Sequence, residues 1–179
     1  MPSSSVADVW ETIAGDAALE SPLWRELLLP EGERDPEPVF SAVAEGRFAT
    51  AVETIYEGYL AHYGRPRLFA RNDHETALLL GDYLYAHGLV RVAASGDVSA
   101  VAGLAGLISL CAQLRADGRP GDGEAWAATA ALLGDDTLDD VLDPLRRGND
   151  PASVAAAARA AAGDAAVASA LAAHARRVG

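Results

Sequence analysis

Hydrophobic residues recur at intervals of three and four along most of the chain, which is the spacing of an amphipathic helix. The clearest case is the segment 47–63, in which Val52, Ile55, Tyr59 and Leu60 would face inward together. No run of alternating β-branched residues bounded by hairpin turns occurs, so strands are not expected. The pattern predicts an all-α protein.

Glycine, proline and short acidic loops separate the periodic segments. Asp73 or Asn72 is well placed to cap a helix that starts near residue 74. We predict helices over 3–16, 18–29, 39–44, 47–63, 74–94, 98–115, 124–133 and 135–142, and two more within 151–178 that are split at Gly163 and Asp164. A chain of 179 residues is long enough for one core, so we expect residues 1–179 to form a single-domain helical bundle.

The charge balance is strongly acidic. The formal net charge is −12, and all fourteen basic residues are arginine, with no lysine. Such a lysine-free acidic composition is typical of a halophilic, GC-rich source such as a haloarchaeon; the alternative is that GC bias alone produces it. A negative field of this size argues against non-specific nucleic-acid binding, which relies on cations that neutralise phosphates. A phosphate site would therefore need a local cluster of arginines.

Cysteine usage and the apolar runs bear on localisation. The single cysteine, Cys111, permits no internal disulfide and lies in an apolar segment, so we expect it in the core. The first residues lack the pattern of a secretory signal, and charged residues interrupt the long apolar runs, so no membrane span is expected. These features predict a cytoplasmic protein.

The segment 64–88 combines features that are unusual side by side. Three arginines, Arg65, Arg67 and Arg71, lie in a loop that leads into an apolar helix. That helix carries Gly81 and Asp82 in its middle. Glycine in a helix interior costs roughly 1 kcal/mol relative to alanine, and a buried aspartate needs a partner. The pair therefore calls for an explanation.

This segment resembles the trans-polyprenyl diphosphate synthases, which have the isoprenoid synthase fold. In that family a GxP loop precedes a helix of the pattern A-x-L-x-GD-x-L-x-x-A. Here Gly64-Arg65-Pro66 matches the loop, and the residues from Ala77 to Ala86 match the helix. The resemblance covers 50–115 well and the rest loosely. It implies a shortened, divergent isoprenoid synthase fold, because full synthases are much longer.

The resemblance also implies site residues. The family's first aspartate motif, DDxxD, falls on Glu53-Thr54-Ile55-Tyr56-Glu57, and His62-Tyr63 stand where the family has paired arginines. Residues i and i+4 share a helix face, so two carboxylates there could hold Mg²⁺ against a diphosphate. Glu53 and Glu57 are thus candidate metal ligands. Arg65, Arg67 and Arg71 are candidate diphosphate-binding residues. The alternative is that both glutamates are solvated surface charges.

A second acidic run spans 135–140, and Asp135, Asp136 and Asp139 in it fit DDxxD. By resemblance they are also candidate Mg²⁺ ligands. The following sequence DPLRRG resembles the loop after the family's first motif instead, so the assignment of the two runs stays open. The alternative is an acidic first turn of a helix, which the helix dipole favours.

The degenerate first motif and the short chain favour a non-catalytic or regulatory subunit, or a binder of an isoprenoid diphosphate. The first alternative is an active Mg²⁺-dependent polyprenyl diphosphate synthase, and the second is a helical adaptor. The resemblance implies a homodimer, or a heterodimer with a full-length synthase. It also implies that Gly81 allows close helix packing. Asp82 is then expected to be buried beside Arg67, Arg71 or Tyr56.

Overall fold

The structure is a computed structural model that describes residues 6–71, 73–148 and 150–178. Within these ranges the chain is helical and has no strand, which confirms the all-α prediction. The helices are α1 (Val6–Glu20), α2 (Pro22–Leu27), α3 (Ala49–Tyr63), α4 (His74–Ala93), α5 (Val98–Ala116), α6 (Asp122–Ala131), α7 (Leu138–Arg147), α8 (Pro151–Ala162) and α9 (Asp164–Val178). Two short 3-10 turns lie at Glu31–Glu33 and Gly46–Phe48.

Side-chain caps set several helix starts. The Asp73 carboxylate accepts a hydrogen bond from the Thr76 amide, as the sequence suggested, while Asn72 lies outside the described residues. Ser21 caps α2 with Pro22 in its first turn, so the break between the first two helices falls at Ser21 rather than near residue 16. The division of 151–178 at Gly163 is confirmed.

Two helix predictions were wrong. Residues 39–44 form turns instead of a helix, because the amides of Val39 and Ser41 donate to a side chain of α3. The helix predicted for 135–142 begins only at Leu138 and continues past Pro144 to Arg147. Proline removes one hydrogen bond from α7, but Leu142 and Leu145 are both buried, so packing carries the helix across it.

Helix α3 is the central element of the molecule. Every residue from Ala51 to Leu60 is buried, so the helix is covered on all sides rather than on one face. It packs most extensively against α4. A Cβ on Gly88 would lie 2.3 Å from Cγ1 of Ile55, and one on Gly58 would lie 2.9 Å from the carbonyl oxygen of Gly81. Glycine on both helices therefore permits this close approach.

The buried apolar side chains form two clusters, not the single core that was expected. The larger cluster joins α3, α5, α6, α7, α8 and α9 and contains Cys111 and Trp126. The smaller cluster joins α1 and α2 to Leu80 and Leu84 of α4 and contains Trp10 and Trp24. The expected core position of the cysteine is confirmed, and the three tryptophans are buried as well.

One helix of the described ranges, α5, is long and apolar enough to cross a membrane by length and composition. A third of its most apolar window is buried inside the bundle, and core helices of ordinary bundles satisfy the same criterion. The helix is therefore weak evidence for a membrane span.

Candidate functional site

Two glutamates of α3 meet one arginine in the interior. Glu53, Glu57 and Arg67 have fully buried side chains. The guanidinium Nη1 of Arg67 lies 2.5 Å from Oε2 of Glu53, and its Nε lies 2.8 Å from Oε2 of Glu57. The guanidinium also lies over the rings of Trp10 and Tyr56. We call these three charged residues the buried triad.

Backbone amides complete the buried triad, whose formal charge is −1. Oε1 of Glu53 accepts from the amides of Val39 and Ser41, and Oε1 of Glu57 accepts from the amides of Arg67 and Leu68. Burial alone would lower the pKa of Arg67, but the two carboxylates raise it above its usual range. The carboxylates are thus fully satisfied by protein donors.

These contacts bear directly on the metal prediction for Glu53 and Glu57. Neither glutamate is a solvated surface charge, and all four carboxylate oxygens already accept hydrogen bonds. A Mg²⁺ ion would have to displace Arg67 and the backbone donors. The two glutamates therefore do not fit a metal site. Their role in the structure is to fix the loop that carries Arg67.

The second acidic run lies on the surface. Asp135, Asp136 and Asp139 are exposed, and they accept hydrogen bonds from Thr137, Ser99 and Arg146, respectively. Two hydrogen bonds from Thr137 lower the pKa of Asp135. None of these aspartates shares a partner with Glu53 or Glu57. Across the described ranges, no three His, Cys, Asp or Glu side chains are grouped as metal ligands would be.

The arginine-rich loop borders a cleft of about 550 Å³. We call it the basic cleft. Its floor and walls come from the end of α3, the loop 64–71, the start of α4 and the last turn of α9. Five of the lining residues are arginine or histidine: His62, Arg65, Arg71, His74 and Arg177. No described lining residue is acidic, although the chain carries 26 acidic residues.

The lining of the basic cleft also includes apolar residues: Leu27, Ala61, Ala77, Leu80 and Val178. Backbone hydrogen bonds join the loop 64–71 to the end of α2. The amide of Leu29 donates to the carbonyl of Leu68, and the amide of Ala70 donates to the carbonyl of Leu27, around an isolated antiparallel bridge. Together with the buried triad, this bridge fixes the position of the loop that carries Arg65, Arg67 and Arg71.

The three predicted diphosphate-binding arginines separate into two groups. Arg67 is buried in the triad and does not line the basic cleft. Arg65 and Arg71 both line it. Arg65 also donates to the carbonyl of Arg176, whereas Arg71 makes no hydrogen bond or ion pair with the described residues. Two of the three candidates therefore face one cavity.

Gly81 is needed where α4 approaches α3. A Cβ there would lie 1.8 Å from Cδ2 of His62, so the glycine makes room for a histidine that lines the cleft. Burial lowers the pKa of His62, and the nearby Asp82 carboxylate partly offsets this effect. The expectation of close packing at Gly81 is confirmed.

The expectation for Asp82 was wrong. Its side chain is 70% exposed, and its carboxylate lies 3.4 Å from Nε2 of His62, not beside Arg67, Arg71 or Tyr56. Successive helical residues point about 100° apart, so an inward Gly81 turns the next residue toward solvent.

A second polar network joins four helices away from the basic cleft. Asp122 accepts hydrogen bonds from Tyr59 and Arg115, and its Oδ2 lies 3.3 Å from Nε2 of His174. Nδ1 of His174 lies 3.0 Å from the Tyr56 hydroxyl. Burial alone would raise the pKa of Asp122, but His174, Tyr59 and Arg115 hold it well below its usual range. The network fastens α9 to α3, and the sequence did not reveal it.

Asp122→Asn should destabilise the fold by about 2 kcal/mol at neutral pH, because the hydrogen bonds to a charged acceptor are weakened. A carboxylate whose pKa is lower in the folded state stabilises the protein at pH values above its unfolded pKa of about 4. This stabilisation is lost as the pH falls through the folded pKa. The difference between the variant and the parent chain should therefore be full above about pH 5 and shrink in more acidic solution. Urea unfolding across this pH range measures it.

The matched control is Asp117→Asn, which removes the same charge from an exposed position at the end of α5. It should leave stability within about 0.5 kcal/mol of the parent chain. Equal stabilities for Asp122→Asn and Asp117→Asn at neutral pH would mean that the network adds nothing to the fold.

No protein-family model, no curated protein and no solved structure matches this chain. The resemblance to the polyprenyl diphosphate synthases therefore stays a prediction.

Proposed function

We propose that the protein is a non-catalytic binding protein for an amphipathic phosphorylated ligand, an isoprenoid diphosphate, which the basic cleft holds. The observation that carries the proposal is the composition of the cleft. Three arginines and two histidines line it, and no described lining residue is acidic, in a chain of net charge −12. Asp35 and Glu37, which pair with Arg177, and Asp82, which lies near His62, are not part of the lining. A basic lining of this kind is what an anion site in this protein would need.

The basic and the apolar lining residues of the basic cleft suit the two parts of such a ligand. Arg71 has no bonded partner among the described residues, so its guanidinium is available for bidentate hydrogen bonds to phosphate oxygens. Leu27, Ala77 and Leu80 offer an apolar surface to a hydrocarbon chain. The volume lies within the range that is usual for small-molecule sites.

The resemblance supports the choice of an isoprenoid diphosphate. The segment that matches the family, from Gly64 onward, contributes Gly64, Arg65 and Pro66 to the cleft, and His62 and Tyr63 line it where the family has paired arginines. Arginine and histidine can hold a diphosphate through charge and hydrogen bonds without a metal ion. Binding therefore does not require the Mg²⁺ that the family uses.

We propose a non-catalytic protein because of the positions of the carboxylates in the two acidic runs. The family places both aspartate motifs around the diphosphate to hold Mg²⁺. Here Glu53 and Glu57 are committed to Arg67, while Asp135, Asp136 and Asp139 lie on the surface with other partners. Among the described residues, no such carboxylate set lines the basic cleft, so nothing there would hold the Mg²⁺ that stabilises the leaving diphosphate in the synthases.

A partner chain is also part of the proposal. Helix α5 carries no charged residue from Val98 to Leu114, and Val98 is 79% exposed. Val90 on the neighbouring α4 is 66% exposed. In an acidic protein, the uncharged exposed surface of α5 favours a protein contact, either with a second copy or with a full-length synthase. The same surface would serve a helical adaptor.

Geranylgeranyl diphosphate should raise the melting temperature of the purified protein, because it binds the folded state and not the unfolded one. We expect a rise of about 5 °C or more at a ligand concentration about 100-fold above the Kd, with or without Mg²⁺. The double variant Arg65→Gln/Arg71→Gln should lose most of the rise. Arg159→Gln, on α8 away from the cleft, is a control for loss of arginine charge and should retain the rise.

Other outcomes would favour the alternatives. Formation of longer prenyl diphosphates from isopentenyl diphosphate and an allylic diphosphate with Mg²⁺ would contradict the non-catalytic proposal in favour of an active synthase. A melting temperature unchanged by geranylgeranyl diphosphate would favour the adaptor.

A further inference from the structure

The last turn of α9 contributes an arginine that the sequence did not single out. Arg177 lines the basic cleft, and its side chain is only 8% exposed. Its Nη2 lies 2.8 Å from the Asp35 carboxylate and 3.0 Å from the Glu37 carboxylate. Its Nε is buried and has no hydrogen-bond partner among the described residues. Nη2 of the guanidinium is therefore satisfied and Nε is not.

The backbone around Arg177 is fixed against the arginine-rich loop. The amide of Arg65 donates to the carbonyl of Arg177 at 3.1 Å. A Cβ on Gly64 would lie 2.8 Å from that same carbonyl oxygen and 3.2 Å from Cγ1 of Val178. Glycine at position 64 thus lets the end of α9 close directly onto the loop. The contact joins residues that are more than a hundred positions apart in the chain.

A buried donor without an acceptor is costly, and native structures have few of them. An oxygen of a bound anion would supply the missing acceptor. The ion pairs with Asp35 and Glu37 hold the guanidinium in place without using Nε. Preorganisation of this kind lowers the entropic cost of binding.

We infer that Arg177 is a ligand-binding residue of the basic cleft, that its Nε–H donates to a phosphate oxygen of the ligand, and that Asp35 and Glu37 orient it. This inference rests on the proposed function, because it assigns a further contact in the same site. The last turn of α9 then forms part of the site, and the bound anion stabilises its position there. Ligand binding and the docking of this turn are coupled.

Calorimetric titration with inorganic pyrophosphate tests the contact. Arg177→Gln should weaken binding about tenfold or more, since it removes a charge-assisted hydrogen bond. Arg176→Gln, next to it and outside the cleft lining, should weaken binding about threefold at most. The double variant Asp35→Asn/Glu37→Gln breaks the same ion pairs but keeps Nε. It should weaken binding less than Arg177→Gln does, because the loss is limited to the orientation of a contact that remains.

The outcomes separate the inference from the proposed function. Failure of the parent chain to bind any diphosphate would contradict the proposed function, and the inference would fall with it. If the parent chain binds, equal losses for Arg177→Gln and Arg176→Gln would overturn the inference alone. So would an equal loss for Arg177→Gln and Asp35→Asn/Glu37→Gln, because Arg177 would then act only through its ion pairs.

Hydrogen exchange on the parent chain gives a readout that needs no variant, should Arg177→Gln fail to fold. Pyrophosphate should slow amide exchange in the last turn of α9 as well as in the loop 64–71. Slower exchange in the loop with unchanged exchange in α9 would contradict the coupling.

Discussion

Replacing Arg67 by methionine should lower the free energy of unfolding by about 3–5 kcal/mol, the largest loss we expect from a single substitution. The reason is the pair of carboxylates that it would leave behind. Glu53 and Glu57 are fully buried, and the guanidinium is the one cation that contacts both within the described ranges. Without it, two negative charges remain in the interior near one another. Urea unfolding followed by circular dichroism measures the effect.

The triple variant Glu53→Gln/Glu57→Gln/Arg67→Met separates charge from packing. The amide oxygens can still accept from the backbone donors at Val39, Ser41 and Leu68, and no buried charge remains. We expect the triple variant to be more stable than Arg67→Met alone, although it carries two more substitutions. A triple variant less stable than the single one would show that the carboxylates stabilise the fold without Arg67.

Gly88→Ala should destabilise the protein by about 1–3 kcal/mol, although alanine is the better helix former. The new methyl group would lie 2.3 Å from Cγ1 of Ile55 and 3.2 Å from the carbonyl oxygen of Ala51. Ile55 lies on α3 and is fully buried, so neither helix can move away from the new methyl group without disturbing the packing of the other. The midpoint of urea unfolding gives the change.

Gly15→Ala is the matched control for Gly88→Ala. Gly15 also lies inside a helix, α1, but a Cβ there would meet nothing within 4 Å. The substitution should be neutral or should stabilise by up to about 1 kcal/mol through helix propensity. Similar effects of the two substitutions would mean that α3 and α4 are not packed as closely as the structure has them.

The sequence was a good guide to where helices lie, because helical periodicity and capping are local. The segments 47–63, 74–94 and 98–115 match α3, α4 and α5 within about two residues. The prediction failed at 39–44, where the amides of Val39 and Ser41 are drawn to a glutamate that follows later in the chain. A tertiary contact there outweighs a local preference.

Candidate site residues were harder to predict, since their roles depend on long-range contacts. Glu53 and Glu57 share a helix face, as expected, but their partner Arg67 comes from the loop that returns over α3. Their position in a helix that is buried on all sides was a usable signal, because a paired buried charge is then required. Nothing near Arg177 in sequence indicated that α9 would reach the loop at Arg65.

The resemblance to the polyprenyl diphosphate synthases marks the loop 64–71 and Gly81. Both are associated with the basic cleft, through Arg65, Arg71 and the histidine that Gly81 accommodates. The acidic runs that the resemblance marked as metal sites are not associated with it. The arginines and histidines around the cleft therefore carry the functional proposal, and the acidic motifs do not.

The most direct test of the central claim is a calorimetric titration of the full chain with geranylgeranyl diphosphate. Our account predicts one site per chain, strong loss of affinity in Arg65→Gln/Arg71→Gln, and unchanged affinity in Arg159→Gln. No measurable binding, or equal affinity in the two arginine variants, would contradict a binding function for the basic cleft.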